Sequence, residues 1–129
     1  MEGGLFRKVD CLALRVDDLD DATSFYASLG HEVLWRTPEA VGLALPESDA
    51  ELVLQTERPA PETDLTLQAV RSAVDEFVAA GGSVVVEPFD IAIGLCAVVE
   101  DPWHNHLVIL DNSTGRFVTD ADGTVTGVQ

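Results

Sequence analysis

Val16-Asp17-Asp18-Leu19-Asp20-Asp21-Ala22, running on through Phe25-Tyr26 to Leu29-Gly30-His31, is the stretch that decides how this chain folds. It joins a strand to a helix. Upstream, Leu12, Leu14 and Val16 alternate with Cys11, Ala13 and Arg15, the period-two pattern of a strand with two unlike faces. The aspartates supply N-cap oxygens and place negative charge where the helix dipole is positive. Ala22, Phe25, Tyr26 and Leu29 fall at helical spacing, so a helix is expected over 20–28, and Gly30 stops it.

Three further strands are expected over 32–36, 42–45 and 51–55, the last two joined by the turn Pro46-Glu47-Ser48-Asp49. Arg58-Pro59-Ala60-Pro61 is a stiff connector. The pattern then repeats. Thr63, Leu65 and Leu67 mark a strand, and Val70, Val74, Phe77 and Val78 stripe a helix near 72–80 that Gly81-Gly82 ends. Strands follow over 83–87, 95–100 and 107–110, with the turn Asp101-Pro102-Trp103-His104-Asn105 before the last. Fifty-one residues separate Gly30 from Gly81, Val16 from Leu67, and Ala22 from Ala73. Similar residues at one fixed offset signal an internal duplication. Each half reads as strand, helix and three strands, and neither can cover both faces of its sheet, so the halves are expected to pack together. The expectation is a single α+β domain over 1–129, with module one at about 9–56 and module two at about 62–111. The tail over 113–129 reads as a small hairpin about Asp120-Ala121-Asp122-Gly123, or else as a loosely held terminus.

Composition narrows the functional classes. At 129 residues, 47% of them hydrophobic, the chain is sized for one core and too apolar for a disordered segment. Twenty-three acidic against seven basic residues give a formal charge of -16. Such a surface repels phosphate backbones, so nucleic-acid partners are not expected. It serves solubility, or it recruits a cationic small molecule. No run of about 18 apolar residues and no long apolar leader occurs, so no membrane span is expected and the location is read as cytoplasmic. Cys11 and Cys96 form no CxxC; they can pair arithmetically, but a cytosolic chain usually keeps such thiols reduced and buried. No GxGxxG, P-loop, GxSxG or HExxH occurs, and no cofactor is expected.

The opening stretch resembles the first-module signature of the vicinal-oxygen-chelate superfamily, which holds the glyoxalases, bleomycin-resistance proteins and extradiol dioxygenases. Ala79-Ala80-Gly81-Gly82, Pro88-Phe89-Asp90-Ile91 and Glu100-Asp101-Pro102-Trp103-His104-Asn105 resemble the second. The likeness spans residues 9 to 111. It implies two βαβββ modules whose eight strands form a curled sheet around a cavity, and pairing as a homodimer. It also implies a divalent metal on cavity-facing His and Glu side chains. Carried over one at a time, those positions are Cys11, Val53, Glu62 and Val108. Two valines cannot bind any metal, and a thiolate with one carboxylate is a poor remainder, so no metal is expected.

Residues two apart share a strand face. The cavity face should therefore carry Cys11, Ala13 and Arg15; Glu51, Val53 and Gln55; Glu62, Asp64 and Thr66; and His106, Val108 and Leu110. A mix of apolar and ionisable groups suits a ligand pocket, and equally a partly solvated groove. His106 can form a general-base pair with Glu62 or Glu51, or stand idle at the rim. His104 reads as solvent-facing, and His31, just after the helix-stopping glycine, as a cap or as facing water. Cys11 reads as a buried inert thiol unless Arg15 or His106 lowers its pKa. Trp35, Phe89 and Trp103 can stack on a flat ligand or pack in a core. The candidate binding residues are thus Cys11, Arg15, Trp35, Gln55, Glu62, Phe89, Trp103 and His106. The expected function is metal-free sequestration of a small aromatic or cationic compound. The alternative is a metal-dependent lyase, isomerase or dioxygenase with a ligand set rearranged from Glu62, Glu51, His106 and Cys11. A third reading, ranked last, is a structural or regulatory module whose groove is filled by its own tail or by a partner.

Overall fold

Alternation and helical spacing set the elements, and the computed structural model, which describes residues 4–58 and 62–129, adds how they are paired. In chain order they are β1 (Lys8–Arg15), α1 (Leu19–Ser28), β2 (Val33–Arg36), β3 (Ala40–Leu45), β4 (Ser48–Gln55), β5 (Glu62–Thr66), α2 (Val70–Ala79), β6 (Ser83–Ile91), β7 (Gly94–Glu100), β8 (His106–Leu110), β9 (Phe117–Thr119) and β10 (Val125–Val128). The fold is α+β, with eight strands shared equally between two βαβββ modules, as the glyoxalase-like pattern requires. Most of the connector expected over 58–61 lies outside the described residues. Among those residues no helix is long and apolar enough to cross a membrane.

The chain forms two compact units. One holds Asp10–Thr63 with Phe117–Gly127; the other holds Asp64–Arg116 with the extreme ends. In the first, the strand order is β2-β3-β4-β1, with β1 parallel to β4 and the other pairs antiparallel. Leu14, Val16, Leu19, Ala22 and Tyr26 pack over Val41, Leu43, Leu52 and Leu54, so α1 covers one sheet face. In the second the order is β5-β8-β7-β6, with β5 parallel to β8. There α2 lays Val70, Ala73 and Val74 over Ala97, Val99 and Ile109. Fully burying one such aliphatic side chain contributes about 1.5–3 kcal/mol.

The helix ends show both the duplication and a departure from it. Gly30 and Gly81, the paired stop positions, both take left-handed backbone, at φ +96° and +116°. At the other end of α1, Asp18 accepts a hydrogen bond from Asp21 N at 2.9 Å. The start of α2 has no such side chain, because Ala69 stands at the cap. Its Val70 N donates instead to Asp111 Oδ2, at 2.8 Å, from the end of the last module strand. Burial pushes the Asp111 carboxyl up, but hydrogen bonds from Ser113, Val70 and Leu95 outweigh it and hold the pKa below the ordinary value.

Most elements begin within two residues of the expected positions, but β4 starts at Ser48, three residues before 51, and takes in the last two residues of the expected turn. β6 runs four residues further than alternation indicated, carrying Pro88 inside it on a strand edge, where proline loses no ladder bond. The tail is a hairpin: β9 pairs only with β10, and its tip rests on β2.

Two inner sheet faces as the candidate functional site

Residues in register on neighbouring strands point to the same side of a sheet. In the first unit the face away from α1 is therefore laid out in three rows. Ala44, Glu51 and Cys11 make one; Trp35, Gly42, Val53 and Ala13 the next; Ala40, Gln55 and Arg15 the third. Trp35 reaches this face because the ladder slips between Val33 and Trp35. Leu34 is the extra residue of that β-bulge, and the bulge sends Val33 to the helix side and Trp35 to the other.

Small neighbours give the indole its place. A Cβ on Gly42 would lie inside the Trp35 ring, so the ring lies flat where glycine leaves room. Its Nε1 donates to Glu51 Oε1 at 2.6 Å, which orients both groups. Cys11, Ala13 and Val53 form a buried patch against which Trp35 and Ala40 pack. From above, Phe117 of β9 meets the indole at 5.0 Å between ring centres and 48° between planes. A ring of the chain's own tail thus lies over this indole.

The second unit presents a different face. Its rows are Phe89, Cys96, Leu110 and Thr66; Val86, Val98, Val108 and Asp64; and Glu100 with His106. Val86, the counterpart of Trp35 at the 51-residue offset, has no ring to fold over the sheet. Val86 and Phe89 are each 42% exposed, and Val98 and Val108 are half-buried. Asp64 and Thr66 are buried at the far end of these rows. The result is an open apolar strip with a carboxylate at one end and an imidazole–carboxylate cluster along one side.

In that cluster Glu100 lies 2.8 Å from His104 Nδ1 and 3.1 Å from His106 Nε2, one histidine for each carboxylate oxygen. The His104 hydrogen bond is the largest influence on Glu100; together with His106 it outweighs the opposing effect of desolvation and lowers the carboxyl pKa. His104 holds its position with φ at +71°, uncommon outside glycine, in a turn fastened by Asp101 to the amides of Trp103 and Asn105.

The other candidates are placed as follows. Gln55 accepts from Glu57 N and Arg58 N and donates to Arg58 O, so its amide ties the strand-end turn. Glu62 pairs with Arg58 at 3.2 Å. Arg15 is exposed at the end of β1. Trp103 is 78% exposed at the turn tip, away from the rows of either face. Both cysteines are buried. His31 faces the Ala44 carbonyl at 3.1 Å. A recess of about 350 Å³ lies where α1 begins, lined by Asp17, Asp18, Asp20 and Arg36 among others.

A family model described as the Glyoxalase/Bleomycin resistance protein/Dioxygenase superfamily matches residues 8–109. The chain belongs to that superfamily. Among solved structures it is similar to a methylmalonyl-CoA epimerase from Mycobacterium tuberculosis, at 16% identity and a TM-score of 0.72, over 86% of this chain and 91% of that one. It also resembles a Mn(II)-bound glyoxalase from Novosphingobium aromaticivorans, at 18% identity and a TM-score of 0.57, covering 83% of this chain and 39% of that one. An extradiol ring-cleaving dioxygenase from B. fuscum matches at 20% identity and a TM-score of 0.55, over 96% of this chain and 34% of that one. At these identities the likeness shows the fold. A search of curated proteins finds no match.

The metal that the superfamily implies does not fit the residues present. Val53 and Val108, at two of the four positions, sit mid-row on the inner faces and offer no lone pair. Among the described residues no group of three or more His, Cys, Asp or Glu is arranged to hold a metal ion. Two contacts on these faces escaped sequence reasoning. Glu51 stood among the cavity-face residues, but its bond to Trp35 depends on a bulge that alternation does not show. Phe117 stood only in the tail, with no periodic signal to tie it to Trp35.

Proposed function

We propose that this protein binds a small, planar, cationic aromatic molecule by shape and charge, without a metal. The single observation behind this reading is the second unit's inner row. Valine replaces the chelating residue, and Val86, Val98 and Val108 make an apolar strip that ends in the Asp64 carboxylate. An apolar wall with a few placed polar groups is the general form of a small-molecule site. A net charge of -16 raises the local concentration of cations. The rearranged metal site has less behind it: Glu51 is engaged by Trp35, Glu62 by Arg58 and His106 by Glu100.

Titration with planar cationic dyes such as proflavine tests the reading, with dye polarisation as the signal. We expect a dissociation constant below about 0.1 mM, some 5.5 kcal/mol of binding. Val108→Arg, which puts a like charge in the strip, should weaken binding at least tenfold. Absence of any interaction at 0.1 mM, or indifference to Val108→Arg, removes the proposal.

A further inference from the structure

We infer that the C-terminal hairpin is a built-in occupant of the first unit's inner face, with Phe117 holding the stacking place on Trp35 that a ligand's aromatic ring would take. The inference extends the binding reading above to a second face and names what controls access to it.

Four observations carry it. The duplication supplies an internal control, because equivalent rows run Trp35, Gly42, Val53, Ala13 in one unit and Val86, Val98, Val108, Asp64 in the other. Of these two rows only the Trp35 row carries an aromatic ring, and that ring has a second one on it. The platform is also built to be rigid. Glycine beneath, a 2.6 Å hydrogen bond to Glu51 and a bulge at Leu34 all fix one indole position. A preset indole beside a carboxylate is a recognition surface for a flat cation, since the ring face attracts positive charge.

The hairpin, by contrast, is lightly attached to that face. Its two strands have three and four residues and pair only with each other. On β2 it makes one bridge, between Arg36 and Thr124, and one backbone hydrogen bond, Arg36 N to Gly123 O at 2.8 Å. Among the described residues no ion pair involves the hairpin. Its base is closed by Arg116 and Gln129, each donating its N–H to the other's carbonyl. An element with a firm base, few buried contacts and a lightly attached tip belongs to the low-stability end of the opening spectrum. Phe117 therefore competes with a ligand rather than forming the floor of its site. Aromatic pairs contribute about 0.5–1.5 kcal/mol beyond area, so removing the competitor should strengthen binding roughly two- to twelvefold.

The test uses the full-length chain carrying Trp103→Phe, which leaves Trp35 as the sole indole. Phe117→Ala is compared with Phe117→Leu, which keeps apolar cover but not the ring. In Phe117→Ala we expect Trp35 emission to shift to longer wavelength, acrylamide quenching to rise, and proflavine to bind several-fold tighter with quenching of Trp35. Phe117→Leu should fall between. Unchanged Trp35 emission and quenching in Phe117→Ala would show that the ring does not cover the indole, and overturns the inference. Weaker proflavine binding in that variant makes Phe117 a wall of the site and overturns it too. If proflavine binds all proteins alike and responds only to Val108→Arg, the hairpin inference fails while the general binding reading stands. If no protein binds it, both fall.

Discussion

Asp111 does more than its place near the end of the last module strand suggests. At 1% exposure it accepts hydrogen bonds from Val70 N, Leu95 N, Ser113 N and Ser113 Oγ, and so ties the start of α2 to the start of β7. Asp111→Asn keeps the shape but turns an N–H pair toward amides that need acceptors. It should cost about 1–3 kcal/mol, read as a lower urea midpoint at neutral pH. The pH dependence has a definite sign. The folded pKa lies below the ordinary 3.8 of the unfolded chain, so the carboxylate's contribution is complete above that value and is lost as pH falls through the folded pKa. The gap between wild type and Asp111→Asn should therefore narrow below about pH 4. A gap that stayed constant down to pH 2 would assign the role to packing alone. Nothing local in the sequence marks Asp111, because Val70 is 41 residues away and the bond exists only once β8 lies beside β5.

At the level of elements, the two modules make matched predictions. Gly30 and Gly81 end α1 and α2 at φ +96° and +116°, and a Cβ at either would meet no atom closer than Pro102 Cγ at 3.9 Å. The cost of alanine there is conformational, about 1–2 kcal/mol. Gly30→Ala and Gly81→Ala should lower the denaturation midpoint by similar amounts, and a large inequality would count against equivalent roles. Both helices and their stops were legible from spacing because a helix buries a face with its own 3.6-residue period. β2 was legible as a strand but not in its facing. Five residues, 32–36, alternate plausibly whether or not Leu34 bulges, and the ladder to β3 decides it. That slip determines whether Trp35 joins the helix-side core or the inner face, so the candidate site depended on pairing, not on propensity. The hairpin was legible as a hairpin through Asp120-Ala121-Asp122-Gly123, where the Asp120 carboxylate accepts from Asp122 N and Thr124 N. Its landing place was not.

For the molecule as a whole, charge is the dominant long-range property. Twenty-three acids against seven bases repel one another in the folded state. Raising NaCl from 0.01 to 1 M shortens the screening length from about 30 to about 3 Å, so the melting temperature should rise, by roughly a few degrees for a chain of this size. A scanning calorimetry series in NaCl checks this, and a fall with salt would place the main electrostatic term in local pairs such as Arg58 with Glu62. The superfamily, the duplicated βαβββ order, the helix stops and the absence of chelating side chains at Val53 and Val108 all follow from the amino-acid order. Each depends on residue identity, on periods two to four residues long, or on like residues repeated at a fixed offset of 51. The exposure of Val86 and Phe89, the capping of α2 by Asp111, and the meeting of Phe117 with Trp35 were decided by tertiary structure. Those contacts join residues 41 and 82 positions apart, and local preference carries no information across such distances until strand register brings the partners together.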